Sequence, residues 1–225
     1  MVSDLKRFVK VGQRPGNVRS VNALFRTGTD SRLAGPAEAM AWAQEVVANQ
    51  ATVYLDTETT GLTANAEICD VAVVDRSGLV LFESLVAPTV PIPAEASAIH
   101  QIFDHHVTGK PTWTDVLPEV CKFLQDRLVI VYNAAFDWKM VAQNCHRIGG
   151  EPPAGEWQCA MLAYSAFRAS PGHRKEHRWH KLDDAVASFG GAPGGHRAAA
   201  DAQACLAVVR GMAAATWVPT RLWLE

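Results

Sequence analysis

Dense apolar runs and stretches of helical spacing alternate along the chain, and each predicts its own element. A helical pattern over residues 36–49 is followed by strand-like runs near 51–56, 67–75 and 79–87, where apolar and β-branched residues crowd between turn residues. Three strands in succession predict an antiparallel start. From Trp113 to Gln125 the spacing is again that of a helix, and Leu128 to Tyr132 reads as a further strand. Helices are expected at 135–147, 159–169, 181–189 and 197–215. Together these elements predict an α/β domain, a mixed sheet of about five strands with helices on both faces. No internal repeat interrupts it.

Composition narrows the class. With 225 residues, 48% of them hydrophobic, the chain can bury one core without metal or disulfide support. Its five cysteines, Cys69, Cys121, Cys145, Cys159 and Cys205, are odd in number and form no C-x-x-C pair, so neither a disulfide scaffold nor a zinc site is indicated. No apolar run reaches membrane-spanning length, and the first residues, Met1 to Lys6, lack a signal-peptide core. A cytoplasmic, reducing setting is expected.

Charge changes the picture once it is divided along the chain. The net charge is −2, but residues 1–35 carry seven basic groups (Lys6, Arg7, Lys10, Arg14, Arg19, Arg26 and Arg32) against Asp4 and Asp30, which makes +5 there and −7 elsewhere. This leader, with little apolar periodicity, is read as a nucleic-acid arm, a docking segment or a packed ornament, with packing or docking slightly favoured. A second basic stretch, His173 to Lys181, mixes cations with Trp179, which suits phosphate attraction and base stacking as well as it suits a solvated loop. The domain organisation is then a basic leader plus helix over 1–50, one globular domain over 51–215 and an apolar tail over 216–225. That tail is expected to pack on the domain, with a homodimer as the alternative.

Candidate chemistry sits where strands run out. Asp56 and Glu58 follow the apolar run Thr52–Leu55 and precede Gly61; residues two apart on a strand share a face, so both carboxylates aim at one point while Thr57 faces away. Converging acids raise each other's pKa unless a cation neutralises them. Oxygen-only ligation favours Mg²⁺ or Mn²⁺ over zinc. Taken alone, the pair would serve equally as a solvated strand end before a turn. Asp137 follows the next strand at the start of a helical pattern. Asn133 is better placed to cap that helix, which leaves Asp137 in the first turn, looking toward the same strand ends. Finally Gly194-Gly195-His196 opens an alanine-rich helix that carries Asp201. Small residues let the helix approach a sheet, and a solvent-accessible histidine there can take a proton from water, although an exposed loop histidine is the commoner finding.

These motifs, Asp-Thr-Glu-Thr-Thr-Gly-Leu at 56–62, Asn-x-x-Phe-Asp at 133–137 and His-x-x-x-x-Asp at 196–201, resemble those of the DEDD 3′-to-5′ exonucleases, specifically the DEDDh or DnaQ-like branch. The sister branch has Tyr where this chain has Arg197. The resemblance runs from about Thr52 to Val209 and implies a ribonuclease H-like fold. Ala98 to Ile102 is similar to the family's Ile-His-Gly-Ile segment, except that Gln101 stands where Gly is usual.

The resemblance further implies two divalent cations, Mg²⁺ or Mn²⁺. Asp56, Glu58 and Asp201 would hold one, Asp56 and Asp137 the other, and His196 would activate water to release nucleoside 5′-monophosphates. Thr59, Thr60, Leu62, His100 and Phe136 would line the terminal nucleotide's pocket. Implied partners are DNA or RNA 3′ ends, preferably single-stranded, and a DNA polymerase if the protein is a proofreading subunit. A module that binds without cleaving is disfavoured by the complete acid set.

Overall fold

A computed structural model describes residues 33–169 and 178–216. The leader up to Arg32, residues 173–177 of the second basic stretch and the tail from Trp217 lie outside the described residues, and so do the roles expected of them.

Strands β1 (Thr52–Thr59), β2 (Ile68–Asp75) and β3 (Val80–Leu85) form the antiparallel meander that their spacing predicts. Strands β4 (Leu128–Val131) and β5 (Glu156–Cys159) add in parallel beside β1, which gives a five-stranded sheet of order β3-β2-β1-β4-β5. Parallel neighbours need crossovers. The first is supplied by α2 (Ala94–His100), α3 (Asp104–Val107) and α4 (Trp113–Leu124), the second by α5 (Ala134–Arg147). β1 thus lies at the centre of the sheet, and Val53, Tyr54 and Leu55 have no exposed surface.

Among the described residues the remaining helices are α1 (Pro36–Ala48), α6 (Ala160–Arg168), α7 (Leu182–Ser188) and α8 (Ala198–Ala214). Helix α8 lies across β1 and β2 with α1, α6 and α7 packed around it, while α4 and α5 pack together on the other side. Ala198, Ala202 and Cys205 on α8 are buried, so the helix backbone comes close to the sheet, as its small residues predict. Helix α4 is capped by Thr112, whose N–H and hydroxyl both bond to Asp115 Oδ2, at 2.8 and 2.7 Å. None of the five cysteines forms a disulfide, and among the described residues no helix is long and apolar enough to cross a membrane.

Four elements differ from expectation. Strand β1 continues to Thr59, so Asp56 and Glu58 sit inside a strand rather than at its end; pairing with β2 holds them there until the register slips between Glu58 and Thr59. The short helices α2 and α3 and the fifth strand, β5, have no individual signal in the sequence. They span seven, four and four residues and mix polar with apolar positions, as in Asp-His-His-Val of α3 and Glu-Trp-Gln-Cys of β5, whereas the equally short β4 is the continuous apolar run Leu-Val-Ile-Val.

Candidate active site

The site is built on β1. Asp56 pairs with Ala72 and Glu58 with Asp70 across the β1–β2 ladder, so both acids lie on one face. Helix α8 carries Asp201 in its first turn to meet them, and one carboxylate oxygen from each of the three falls within 4.8 Å of the others. Oδ1 of Asp201 is buried without a hydrogen-bond partner among the described residues. Three acids around such an oxygen form the donor set of a hard divalent cation. Gly194 is required for this approach, because a Cβ there would collide with the Asp201 carboxylate.

Electrostatics match a cation site. Burial, then the nearby charges of Asp137, Glu58 and Asp201, hold the Asp56 carboxyl well above the usual range. Burial and the charges of Asp201, Asp70 and Asp137 push Glu58 up to about 8, and burial also raises Asp201. A bound cation would reverse this logic by favouring ionised acids.

Asp137 approaches from the other side. Thr57 faces away from the two acids, as strand alternation requires, yet its N–H and hydroxyl bond to Asp137 Oδ1 at 3.1 and 2.7 Å. Asp137 is buried, and desolvation raises its pKa against the lowering effect of those bonds. It lies outside the tight trio but close enough for its charge to act on Asp56. Asn133 occupies the N-cap position of α5 without a side-chain capping bond.

His196 is different in kind. Its side chain is 49% exposed and Nδ1 lies 3.8 Å from Asp201 Oδ2. Its backbone has φ 55°, left-handed for a residue other than glycine. What holds this turn is the next residue. Arg197 Nε donates to Asp70 Oδ2 at 2.8 Å, the Ala198 N–H reaches the same oxygen at 3.3 Å, and Asp70 has no exposed surface. Asp70, the bonding of Thr57 and the anchoring role of Arg197 are not legible in the sequence motifs. Only the oddity of an acid within the apolar run Ile68–Val74 signals Asp70.

The expected pocket residues divide into wall and framework. Leu62 is 75% exposed, and Phe136 is half-buried against the core. Thr59 and Thr60 are buried; the Thr59 hydroxyl donates to the Gly61 carbonyl at 2.7 Å, and that of Thr60 accepts the Glu67 N–H at 3.0 Å. His100 is buried. Its Nε2 lies 3.3 Å from the Thr59 carbonyl and its Nδ1 accepts the Ile102 N–H at 3.0 Å, so it braces the Thr59 backbone. Gln101 takes a left-handed φ of 56° at the C-cap of α2, which explains why glycine suits that place.

The RNase T exonuclease family matches residues 53–209. An uncharacterised exonuclease of Escherichia phage 186 is 38% identical over 169 residues, covering 72% of this chain and 87% of the relative. Exodeoxyribonuclease 10 of Escherichia coli K12 is 36% identical over 119 residues, 52% of this chain and 48% of that protein. The DNA polymerase III subunit epsilon of Treponema pallidum is 26% identical over 171 residues, 73% of this chain and 77% of that one. Among solved structures, exonuclease X bound to 5′-overhanging duplex DNA superposes with a TM-score of 0.54 at 27% identity, covering 74% of this chain and 94% of that one. E. coli exonuclease I with a dA16 oligonucleotide shares the fold, with a TM-score of 0.59 at 16% identity over 69% of this chain and 39% of the other. With an acid trio on a ribonuclease H-like sheet and a family match over most of its length, the chain belongs to the DnaQ-like exonucleases.

Proposed function

We propose that the protein removes nucleotides one at a time from free nucleic-acid 3′ ends and releases nucleoside 5′-monophosphates. The observation that carries this reading is the convergence of Asp56, Glu58 and Asp201 within 4.8 Å, with an unpartnered oxygen of Asp201 among them. Asp56, Glu58 and Asp201 would hold one divalent cation, Mg²⁺ or Mn²⁺, and Asp56 with Asp137 a second, directly or through water. Such a pair stabilises both the attacking and the leaving oxygen of an in-line phosphodiester displacement.

The chain's own groups then have separate tasks. His196, with Nδ1 turned to Asp201, leaves Nε2 free to take the proton of the attacking water. Thr57 fixes one oxygen of Asp137 and leaves the other to act. Exposed Leu62 and half-buried Phe136 flank the terminal base and sugar, and the backbone of Thr59 and Thr60, braced by His100, faces the sugar. Exposed Leu62 and half-exposed His196 leave the end of a single strand room to enter. Five cysteines without a disulfide suit a cytoplasmic, reducing compartment.

The similarity to polymerase III epsilon favours a second reading, a proofreading subunit docked on a polymerase. Co-purification separates it from a free-standing nuclease. The test of the activity itself is digestion of matched 5′-labelled single-stranded DNA and RNA with Mn²⁺ or EDTA, beside His196→Ala. The expected result is a ladder shortening from the 3′ end and lost in both controls. An intact ladder in EDTA overturns the metal assignment.

A further inference from the structure

Beside the catalytic pocket lies a cavity of about 300 Å³ lined by Leu85, Gln101, Ile102, His106, Lys110 and Arg197. We propose that this cavity binds backbone phosphates of the cleaved strand just upstream of the scissile bond, a second grip that rests on the exonuclease reading above.

Charge is the first support. The chain is acidic overall and its catalytic pocket is a cluster of carboxylates, yet no acid lines this cavity and Lys110, Arg197 and His106 do. Arg197 gives Nε to Asp70, and its Nη2 lies 3.9 Å from Glu83, but its side chain is 44% exposed and keeps further N–H groups for a ligand. Lys110 is exposed and makes no ion pair among the described residues. Nδ1 of His106 accepts the Phe103 N–H at 3.2 Å, which places the ring proton on Nε2 as a donor.

Position is the second. Two residues of the cavity lining are chain neighbours of residues of the catalytic pocket. Arg197 follows His196 directly, and Gln101 follows His100, which braces the Thr59 carbonyl. A strand whose 3′ nucleotide occupies that pocket leaves only its 5′ side to run outward, and the adjoining basic cavity lies in reach.

The rim is the third. Phe103, 41% exposed, stacks on His105 with centroids 5.8 Å apart and planes 12° apart, and His105 contacts His106 at 4.0 Å. An exposed aromatic surface beside cations is the pairing that serves bases and phosphates of a single strand.

The test uses the full-length protein and a Lys110 series, since that side chain is exposed and carries no structural bond. Fluorescence anisotropy with a 5′-fluorescein dT12 in EDTA reads binding without cleavage, and KM with Mg²⁺ is measured for dT12, a thymidine dinucleotide and the p-nitrophenyl ester of thymidine 5′-monophosphate. Lys110→Arg should keep parental affinity, Lys110→Ala should weaken dT12 about threefold and Lys110→Glu about tenfold or more. In Lys110→Ala one phosphate is no longer neutralised, so the slope of log Kd against log salt should fall by about one. Turnover of the ester, which ends at the catalytic pocket, should stay within twofold. Unchanged dT12 binding in Lys110→Glu overturns the proposal, and so does an equal loss on the ester. Weakening confined to recessed duplexes assigns the cavity to the complementary strand and likewise overturns it. An inactive parent enzyme would refute the exonuclease reading, while the anisotropy series would still decide the cavity.

Discussion

Strand β1 and the turn at His196 supply the same site by opposite means. Asp56 and Glu58 sit in the central strand, paired with β2 just past the point where its pairing with β4 ends at Tyr54, and one neighbouring acid, Asp70, is wholly buried. His196 sits half-exposed in a left-handed conformation after two glycines. In the function proposed above, carboxylates that share cations are held against their own repulsion, which a paired strand does, and a group that exchanges protons with water stays reachable, which a surface turn allows. One pair, Arg197 with the buried Asp70, ties the turn to β2 at the position that faces Glu58.

The sharpest way to break that contrast is Asp56→Asn. It should lower cleavage by about a thousandfold or more in single-turnover assays and also raise the melting temperature of the metal-free protein, because a repelled, buried carboxylate is removed. A fall in melting temperature would show that the strand acids hold the fold rather than strain it. His196→Ala comes next, with cleavage down about 10²- to 10³-fold and stability nearly unchanged. Rescue of its rate by high pH, where hydroxide replaces the base, would confirm the assignment.

Arg197→Ala tests the tie between the two halves. It leaves the buried Asp70 carboxylate without its cation, so denaturant unfolding should show a loss of about 2–3 kcal/mol, with cleavage reduced roughly tenfold as the His196 turn loosens. Asp70→Asn in the same chain should recover part of the stability. If Arg197→Ala alone is silent, the turn is held by something else.

Metal and pH sharpen the strand side. Asp56, Glu58, Asp137 and Asp201 all have raised pKa values in the metal-free fold, Glu58 about 8. A carboxyl whose folded pKa is raised stabilises the fold fully below its unfolded value near 4 and loses that contribution as pH rises through the folded value. The metal-free protein should therefore melt lower at pH 8 than at pH 6. Mg²⁺ binds the ionised acids, so its increment in melting temperature should be larger at pH 8. An equal increment at both would argue against the acid trio as the binding site. The smallest effect belongs to Gln101→Gly, which relieves the left-handed strain at the α2 C-cap and should stabilise by roughly 0.5 kcal/mol, net of glycine's greater unfolded freedom.

How much of this is readable in one dimension depends on length and on locality. The long helices and four of the strands carry their own periodicity, and their observed bounds agree with the expected ones to within a few residues. Strand β5 and helices α2 and α3 do not, since they mix polar with apolar residues, whereas the equally short β4 is a continuous apolar run. Asp56, Glu58, Asp137, His196 and Asp201 are legible through local motifs. His100 is legible the same way, but its burial beneath Thr59 is not. Alternation along β1 turns Thr57 away from the two acids, as it should, but the helix that brings Asp137 to it comes from 80 residues later.

By itself, then, the chain determined its class, its strand and helix periods and the residue types needed for an oxygen-lined metal centre, because each is encoded over a few adjacent positions. The tertiary structure alone decided which carboxylates converge, that Thr57 bonds to Asp137, that Arg197 anchors the His196 turn through Asp70, and that Lys110 and His106 border the site. Those are contacts between elements far apart in sequence, and only the closing of the sheet under α8 and α5 brings them together.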